Sequence, residues 1–170
     1  MSILKNNIKA YWFTGLSGVG KTTLAYALSK VLWQHNTTNK VLDGDELRKT
    51  ISVDLGFSKA DRDTHVIRVT ELAYELQQHG ITPIISLISP YAKMRTHAIK
   101  KLTALEIYLE APLDILQQRD TKGLYAKALQ GEIKLTGLGD PYEVPTSPNV
   151  WLRTDILSVN ECINKILYQL

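Results

Sequence analysis

The stretch GLSGVGKT, Gly15–Thr22, decides the fold of this chain. It fits the pattern G-x-x-x-x-G-K-[ST], in which a glycine-rich turn brings backbone N–H groups close to phosphate oxygens. Lys21 can reach the β- and γ-phosphates of a nucleotide, and the hydroxyl of Thr22 can ligate Mg²⁺. We therefore predict a nucleoside triphosphate site. Its residues are Gly15, Leu16, Ser17, Gly18, Val19, Gly20, Lys21, Thr22 and Thr23.

The segments on either side of this stretch support the prediction. Residues 8–14 are rich in aromatic and β-branched residues, which is typical of a strand, and residues 22–33 have apolar residues at helical spacing. Further strand patterns cover 40–45, 81–89, 104–111 and 149–154, and helix patterns cover 58–79, 91–101, 112–120 and the end of the chain from Ser158. Because strands and helices alternate, we expect an α/β fold with a mostly parallel central sheet flanked by helices.

Length and composition indicate one domain, residues 1–170, with 44% hydrophobic and 22% charged residues. A net charge of +3 suits anionic small molecules and does not indicate a nucleic-acid partner. The chain has no apolar run of the ~20 residues that a membrane span needs, so we expect no membrane partner. The single cysteine, Cys162, cannot form a disulfide within the chain. We expect a cytoplasmic protein in which Cys162 is an apolar residue of the last helix.

Two acids in the sequence LDGDELR follow the second predicted strand. Ligands of parallel sheets bind at the carboxyl ends of the strands, where Asp43 and Asp45 are expected. One carboxylate could hold a water on Mg²⁺ and the other could accept a proton from an attacking hydroxyl, although Asp45 could instead cap a helix. Arg48 and Arg62 could bind an anionic acceptor through charge-assisted hydrogen bonds, or could be solvated surface charges.

The stretch EIKLTGLGDPYEVPTSP, residues 132–148, has no helical or strand period. A structureless loop of this length is uncommon in a compact domain unless it is functional or disordered. We therefore expect a functional loop near the end of the chain.

Several motifs, in this order, resemble those of the adenylylsulfate (APS) kinase family: GLSGVGKTTLA, LDGDELR, DLGFSKADR, ISPY, RDTKGLY and GEIK…TG…DPYEVP. The resemblance covers residues from about 8 to 148. It implies a P-loop nucleotide kinase fold, usually a homodimer, that transfers the γ-phosphate of MgATP to the ribose 3′-hydroxyl of adenylyl sulfate. It also implies that a segment at about 119–148 forms a lid over ATP and a clamp over an anionic acceptor nucleotide.

The resemblance further implies roles for individual residues. Asp45 matches the general base near the 3′-hydroxyl, Asp43 lies with Thr22 near Mg²⁺, and Lys122 faces the transferring phosphoryl group beside Arg119 of the ATP lid. Ser89 matches a position assigned as a phosphoserine intermediate, although direct in-line transfer needs positioning and charge neutralisation rather than a covalent stop. The implied catalytic residues are Lys21, Asp45, Ser89 and Lys122. The implied acceptor-binding positions are Asp45, Arg48, Phe57, Arg62, His65, Ile88, Ser89, Lys122, Leu124 and Leu135.

The chain departs from the family pattern on the acceptor side. His65 replaces an Asn, Ile67 replaces the first Arg of a pair, and Leu87 replaces a Phe. The segment IKLTG is one residue shorter than the family's IK-x-F-T-G, and Leu135 replaces the Phe that stacks on adenine. Because a base–aromatic stack contributes about 1–3 kcal/mol, these departures favour a changed acceptor.

Three functions follow from these observations. The preferred one is implied by resemblance to the APS-kinase-like cytidine diphosphoramidate kinases of capsule phosphoramidate pathways: an ATP-dependent kinase that phosphorylates the ribose 3′-hydroxyl of cytidine diphosphoramidate. A pyrimidine would depend less on an adenine platform, and His65 could hydrogen-bond a different base or could be a helix-surface histidine. The alternative is an APS kinase of sulfate assimilation. The second alternative, a non-catalytic nucleotide-binding regulator, is disfavoured because Lys21, Asp45 and Lys122 are all present.

Overall fold

The computed structural model describes residues 8–120 and 122–169. Its strands are β1 Ala10–Thr14, β2 Asn39–Asp43, β3 Thr82–Ser86, β4 Ala104–Glu110, β5 Leu135–Thr136, β6 Gly139–Asp140 and β7 Val150–Arg153. Its helices are α1 Lys21–Gln34, α2 Gly44–Arg48, α3 Lys59–Gln78, α4 Ala92–Leu102, α5 Leu113–Gln118, α6 Leu124–Leu129 and α7 Val159–Leu167. The main sheet has five parallel strands in the order β2-β3-β1-β4-β7. The predicted α/β fold with a mostly parallel central sheet is confirmed.

Strand β1 lies in the middle of the sheet, and all its residues are buried. Tyr11 and Phe13 belong to a core that includes apolar residues of α1 and α7, among them Cys162. Ala10 and Trp12 belong to a second core, on the other face, with apolar residues of α3 and α4. A strand covered on both faces reads as a continuous apolar run, which explains the pattern before the glycine-rich turn.

The register of the sheet brings three strand ends to one edge. Asp43 of β2 and Phe13 of β1 both pair with Ser86, the last residue of β3. The glycine-rich turn leaves β1 at this edge, and the acids of LDGDELR leave β2 beside it. The arrangement agrees with the general rule that ligands of such sheets bind at the carboxyl ends of the strands.

Side-chain caps begin several helices. Ser58 and Ser158 form capping boxes with the residue three positions later, as their sequence patterns predict. At α2 the cap is Asp43, whose carboxylate accepts hydrogen bonds from the backbone N–H groups of Asp45 and Glu46. The alternative in which Asp45 caps this helix is therefore wrong, because the cap is Asp43, and the carboxylate of Asp45 points elsewhere, to Lys122.

Other predicted boundaries differ from those of the structure. The strand predicted at 81–89 ends at Ser86, and residues 124–129 form a helix, α6, that the patterns did not predict. The segment 132–148 is not structureless, because β5 and β6 pair within it and Leu135 and Thr136 are buried. In the described ranges 8–120 and 122–169, no helix has the length and apolar character needed to cross a membrane.

Candidate active site

The glycine-rich turn connects β1 to α1, and Lys21 is the first residue of that helix. Gly20 precedes the helix without a side-chain cap, so the first backbone N–H groups of α1 have no side-chain acceptor there. The ammonium of Lys21 donates to the carbonyl oxygens of Gly15 and Leu16 at 2.9 and 2.7 Å. Burial lowers the pKa of Lys21 to about 8, although Asp45 and Asp43 oppose this shift. Helix terminus and lysine together suit the phosphates of a nucleotide.

Three side-chain oxygen atoms that could ligate a metal ion lie together beside this turn. The hydroxyl of Thr22 donates to Asp43 at 2.6 Å and lies 3.3 Å from the hydroxyl of Ser86. Hard oxygen ligands of this kind suit Mg²⁺, which is usually held by one or two protein groups together with phosphate and water oxygens. Within the described part of the chain, His, Cys, Asp and Glu form no cluster of three or more that could hold a metal ion. Thr22 and Asp43, the predicted metal ligands, bring hard oxygen atoms together and fit a nucleotide-bound ion by their chemistry, and Ser86 is an addition from the structure.

Gly44 separates the two acids and presses against the end of β3. A Cβ atom at this position would lie 2.4 Å from Cδ2 of Leu87 and 3.1 Å from the carbonyl oxygen of Ser86. A larger residue here would force Leu87 to move and would crowd the carbonyl oxygen of Ser86, while the turn directs Asp43 towards Thr22 and Asp45 lies on α2. The spacing D-G-D in the sequence thus has a packing reason.

Asp45 and Lys122 form an ion pair. Both side chains are more than half exposed, at 64% and 59%, so a ligand can reach them. Lys122 comes from the turn before α6, which is shaped by Asp120: this carboxylate accepts hydrogen bonds from the backbone N–H groups of Leu124, Tyr125 and Ala126. Two residues predicted as catalytic are therefore brought together by the fold.

The turn that carries Lys122 is attached to the phosphate-binding turn. The buried Tyr125 donates a hydrogen bond from its hydroxyl to the carbonyl oxygen of Ser17, at 2.8 Å. Asp120 and Tyr125 were not among the predicted site residues, although both lie in the motif RDTKGLY. Their effect is to set the position of Lys122 relative to the phosphate site.

Arg119 contacts the residue that follows β7. Its guanidinium donates to the carbonyl oxygen of Thr154 at 2.9 Å and to its hydroxyl at 3.3 Å. The same hydroxyl donates to the carbonyl oxygen of Val19 in the glycine-rich turn, at 2.8 Å. Thr154 was not predicted as a site residue, because only its place at the end of the last strand marked it in the sequence.

An exposed aromatic ring lies close to two arginines. Phe57 is 65% exposed, and the guanidinium carbons of Arg48 and Arg62 lie 4.6 and 5.7 Å from its ring centroid. Arg48 donates to the carbonyl oxygen of Gly56 and Arg62 to that of Phe57, so both guanidinium groups are held in place. The structure therefore brings the predicted acceptor residues Arg48, Phe57 and Arg62 together, with Arg48 on the same short helix as Asp45.

His65 is buried rather than solvent-facing, with 5% of its surface exposed. Its Nδ1 shares a hydrogen bond of 2.9 Å with the hydroxyl of Ser52. Burial lowers the pKa of His65 to about 4, and the charges of Arg48 and Arg68 act in the same direction. The alternative of a helix-surface histidine is therefore wrong, while contact with an acceptor stays a prediction.

Ser89 is buried beneath the strand ends and has a backbone φ of 42°. Its hydroxyl accepts a hydrogen bond from Trp12 Nε1 and donates one to Thr14 Oγ1, both at 3.1 Å. Thr14 in turn donates to the carbonyl oxygen of Ile88 at 2.7 Å. This network holds Ile88 and Ser89 in place beneath the site. The hydroxyl of Ser89 makes both of its hydrogen bonds within the protein.

Leu135 does not offer an open face to a ligand, because it is buried in the core that also holds Val19 and Tyr125. Leu124, another predicted acceptor position, is partly buried against the same core. Leu87 is buried in the core on the opposite face of the sheet. The burial of Leu135 thus differs from the exposed platform for a base that we expected at this position.

Comparison with known proteins gives one family for most of the chain. The family model described as adenylylsulphate kinase matches residues 8–153. The adenylyl-sulfate kinase of Chloroflexus aurantiacus is 51% identical over 158 residues, which cover 92% of this chain and 85% of that protein. The adenylyl-sulfate kinase of Deinococcus deserti is 47% identical over 161 residues, which cover 94% of this chain and 89% of that protein.

Solved structures agree with the sequence comparison. The APS kinase of Mycobacterium tuberculosis in complex with AMPPNP and APS has a TM-score of 0.90 and 37% identity, and the match covers 95% of this chain and 96% of that one. A hexameric APS kinase from Thiobacillus denitrificans has a TM-score of 0.71 and 31% identity, covering 94% of this chain and 28% of that one. A gluconokinase from Sinorhizobium meliloti, with a TM-score of 0.70 at 15% identity, covers 96% of this chain and 93% of that one and shows a shared fold alone.

Proposed function

The chain belongs to the adenylylsulphate kinase family and is an ATP-dependent kinase of a hydroxyl group, and we propose that its acceptor is adenylyl sulfate. The product would be 3′-phosphoadenylyl sulfate, made in sulfate assimilation. The observation that carries this proposal is the exposed ring of Phe57 between Arg48 and Arg62, close to Asp45. An aromatic face suits a purine base, and guanidinium groups suit the phosphate and sulfate oxygens of this acceptor.

Three of the four departures from the family pattern give no reason to favour a cytidine acceptor over adenylyl sulfate, and the fourth, Ile67, is 44% exposed on α3. His65, Leu87 and Leu135 are all buried, so these three departures change the interior of the protein more than the surface that meets a nucleotide. Phe57 remains as an exposed aromatic face without Leu135 contributing one. Relatives that are 47–51% identical carry the name adenylyl-sulfate kinase, which supports the same acceptor. Cytidine diphosphoramidate is therefore the less favoured candidate.

The mechanism that we propose is a direct in-line transfer. Asp45 accepts the proton of the 3′-hydroxyl, and Lys122, which contacts Asp45, stabilises negative charge on the transferring phosphoryl group. Lys21 and the backbone N–H groups at the start of α1 bind the remaining phosphate oxygens. Thr22 and Asp43 would hold Mg²⁺, which neutralises phosphate charge when bound. The buried and hydrogen-bonded hydroxyl of Ser89 supports a positioning role better than a phosphoserine intermediate.

A coupled assay of ADP release with each acceptor tests the proposal. We expect turnover at micromolar adenylyl sulfate and little with cytidine diphosphoramidate at the same concentration. Turnover of the cytidine compound without turnover of adenylyl sulfate would overturn it. ATP binding without acceptor-stimulated ADP release from either compound would favour the non-catalytic regulator instead.

Two further expectations belong to this proposal. The family resemblance predicts a homodimer, whereas the related APS kinase of Thiobacillus denitrificans is hexameric, so light scattering after gel filtration is the measurement that decides the oligomeric state. A cytoplasmic location is proposed because the chain has a single cysteine and no disulfide within it, and fractionation of cells would test it.

A further inference from the structure

Arg95 of α4 is a fully buried cation outside the residues that face the nucleotides, with 2% of its surface exposed. Each nitrogen of its guanidinium group has a partner on a different segment. Nε donates to the carboxylate of Glu106 on β4 at 2.9 Å, and Nη1 donates to the carbonyl oxygen of Ser89 at 2.7 Å. Nη2 donates to the carbonyl oxygen of Glu143 at 2.7 Å. One side chain therefore joins the sheet, the Ser89 turn and the segment 132–148.

The segment 132–148, which we call the acceptor clamp, makes several hydrogen bonds to the rest of the protein near Arg95. Glu143 donates its backbone N–H to the carbonyl oxygen of Pro90 at 2.8 Å, and its carboxylate accepts from the N–H of Ala92 at 2.6 Å. The hydroxyl of Tyr142 lies 2.8 Å from Thr14 Oγ1, and its ring centroid is 5.8 Å from the guanidinium carbon of Arg95. This half of the clamp is thus held in place rather than free to swing as a lid.

The attached half of the clamp leads directly to the acceptor residues. Asp140 forms an ion pair with Arg62 at 2.9 Å, and the side chains of both residues are largely buried, at 19% and 9% exposed. Arg62 in turn donates to the carbonyl oxygen of Phe57 and lies against its ring. Arg95 therefore holds Glu143, which lies three residues along the chain from Asp140, and Asp140 in turn pairs with Arg62 beside Phe57.

We propose that Arg95 is a positioning residue for the acceptor, which holds the clamp so that Asp140 orients Arg62 beside Phe57. Arg95 acts through these residues and does not itself touch a nucleotide. A planar guanidinium can donate in several fixed directions at once, whereas the ammonium of a lysine is a compact charge that cannot reproduce this fork. The inference deepens the proposed function and rests on it for the identity of the acceptor.

The test compares Arg95→Lys with Lys100→Met, which removes an exposed cation of the same helix. We expect Arg95→Lys to raise KM for adenylyl sulfate about 10- to 100-fold, because displacing a binding group by about 1 Å can cost up to about 10²-fold. KM for ATP should stay within about twofold, since the contacts of the phosphate turn do not involve Arg95. Hydrogen exchange should become faster at residues 140–143, and Lys100→Met should change none of these quantities.

A milder variant protects the test against loss of folding. Glu106→Gln keeps a hydrogen-bond acceptor for Arg95 and removes only its charge, so we expect a smaller rise in KM for adenylyl sulfate in the same direction. A merely structural role would raise both KM values together, or would lower Tm while leaving both KM values unchanged, and either result overturns the inference. A folded Arg95→Lys variant whose KM for adenylyl sulfate equals that of the wild-type protein would also overturn the inference.

Failure of the proposed function can be told apart from failure of this inference. If the wild-type protein does not use adenylyl sulfate, the proposed function fails, and hydrogen exchange still tests the role of Arg95. Faster exchange confined to residues 140–143 in Arg95→Lys would support the positioning role. Unchanged exchange in this segment would overturn it.

Discussion

Asp45 and Lys122 form an ion pair although 77 positions separate them in the sequence. Asp45 lies at the start of α2, just after the second strand of the chain, and Lys122 lies in the turn that precedes α6. The pair joins α2 to the segment that precedes α6. A carboxylate and a cation in contact beside the phosphate turn suit the proposed transfer of a phosphoryl group.

Replacing Asp45 tests its role as the base. We expect Asp45→Asn to lower kcat by about 10²- to 10⁴-fold, because a positioned general base contributes about that much. Glu46→Gln is the matched control, since Glu46 is the next carboxylate of the same helix and pairs with Lys49 at the surface. Steady-state ADP release measures both variants, and wild-type kcat in Asp45→Asn would show that another group accepts the proton.

Phe57 should determine how tightly the acceptor binds. Replacing its ring in Phe57→Leu removes one base–aromatic stack, worth about 1–3 kcal/mol, so KM for adenylyl sulfate should rise roughly 5- to 150-fold. KM for ATP should not change. Trp33→Leu serves as a control, because Trp33 is an exposed aromatic of α1 that is 54% accessible. Equal effects of the two substitutions on acceptor KM would contradict the assignment of Phe57.

His65 should make the protein less stable in mild acid. Its pKa is lowered from 6.5 to about 4 in the folded protein, mainly by burial, so the unfolded chain binds more protons between these pH values. Stability associated with neutral His65 is therefore present above pH 6.5 and is lost as the pH falls towards 4. The predicted loss is roughly 3 kcal/mol, because the pKa values of the unfolded and folded states differ by about 2.5 and each pKa unit corresponds to 1.36 kcal/mol.

His65→Asn isolates this contribution from that of other groups. Carboxylates such as Asp54, whose pKa is lowered by a hydrogen bond from Arg68, also titrate in acid and remain in the variant. Urea unfolding at pH 7.5 and pH 5 should show a smaller loss of stability for His65→Asn than for the wild-type protein. Identical losses in both proteins would mean that His65 titrates normally in the folded state.

Two glycines of the acceptor clamp offer a matched pair. Gly137 and Gly139 have φ values of 85° and 97°, so alanine costs about 1–2 kcal/mol of backbone strain at either position. A Cβ atom at Gly137 would also lie 2.6 Å from Leu16 Cδ2 of the phosphate turn, whereas one at Gly139 would have nothing within 4 Å. Gly137→Ala should therefore have a free energy of unfolding about 1 kcal/mol lower than that of Gly139→Ala.

The same pair tests contact between the clamp and the donor site. Since Leu16 must move in Gly137→Ala, KM for ATP should rise in this variant and stay near the wild-type value in Gly139→Ala. Urea unfolding and steady-state kinetics supply the two measurements. Equal stability and equal KM for ATP in both variants would show that Gly137 does not press on the phosphate turn.

Local signals made several parts of the fold predictable. The capping boxes at Ser58 and Ser158 identify the starts of α3 and α7, because their hydrogen bonds lie within one helical turn. The aromatic run before Gly15 identifies the central strand, since a strand covered on both faces is apolar throughout. Boundaries that depend on contacts between distant segments, such as α6 and the pair β5–β6, were missed.

The motif resemblance named candidate site residues, and their arrangement in space came only from the fold. Motif resemblance named Lys21, Asp45 and Lys122, but gave no signal for Arg95, a charged residue at a buried position of α4. Its partners, Glu106, Ser89 and Glu143, come from three different segments. Such a contact cannot be read from spacing, because spacing reports only which residues of one element share a face.

The sequence by itself determined the phosphate turn, the alternation of strands and helices, and the family, because these depend on patterns within short stretches of chain. Only the tertiary structure decided that His65 and Leu135 are buried and that Asp43, not Asp45, caps α2. Burial depends on which elements pack together, so the same side chain can face a ligand or a core. For this reason the departures at His65 and Leu135 suggested a changed acceptor from the sequence, and their burial in the fold removed that reason.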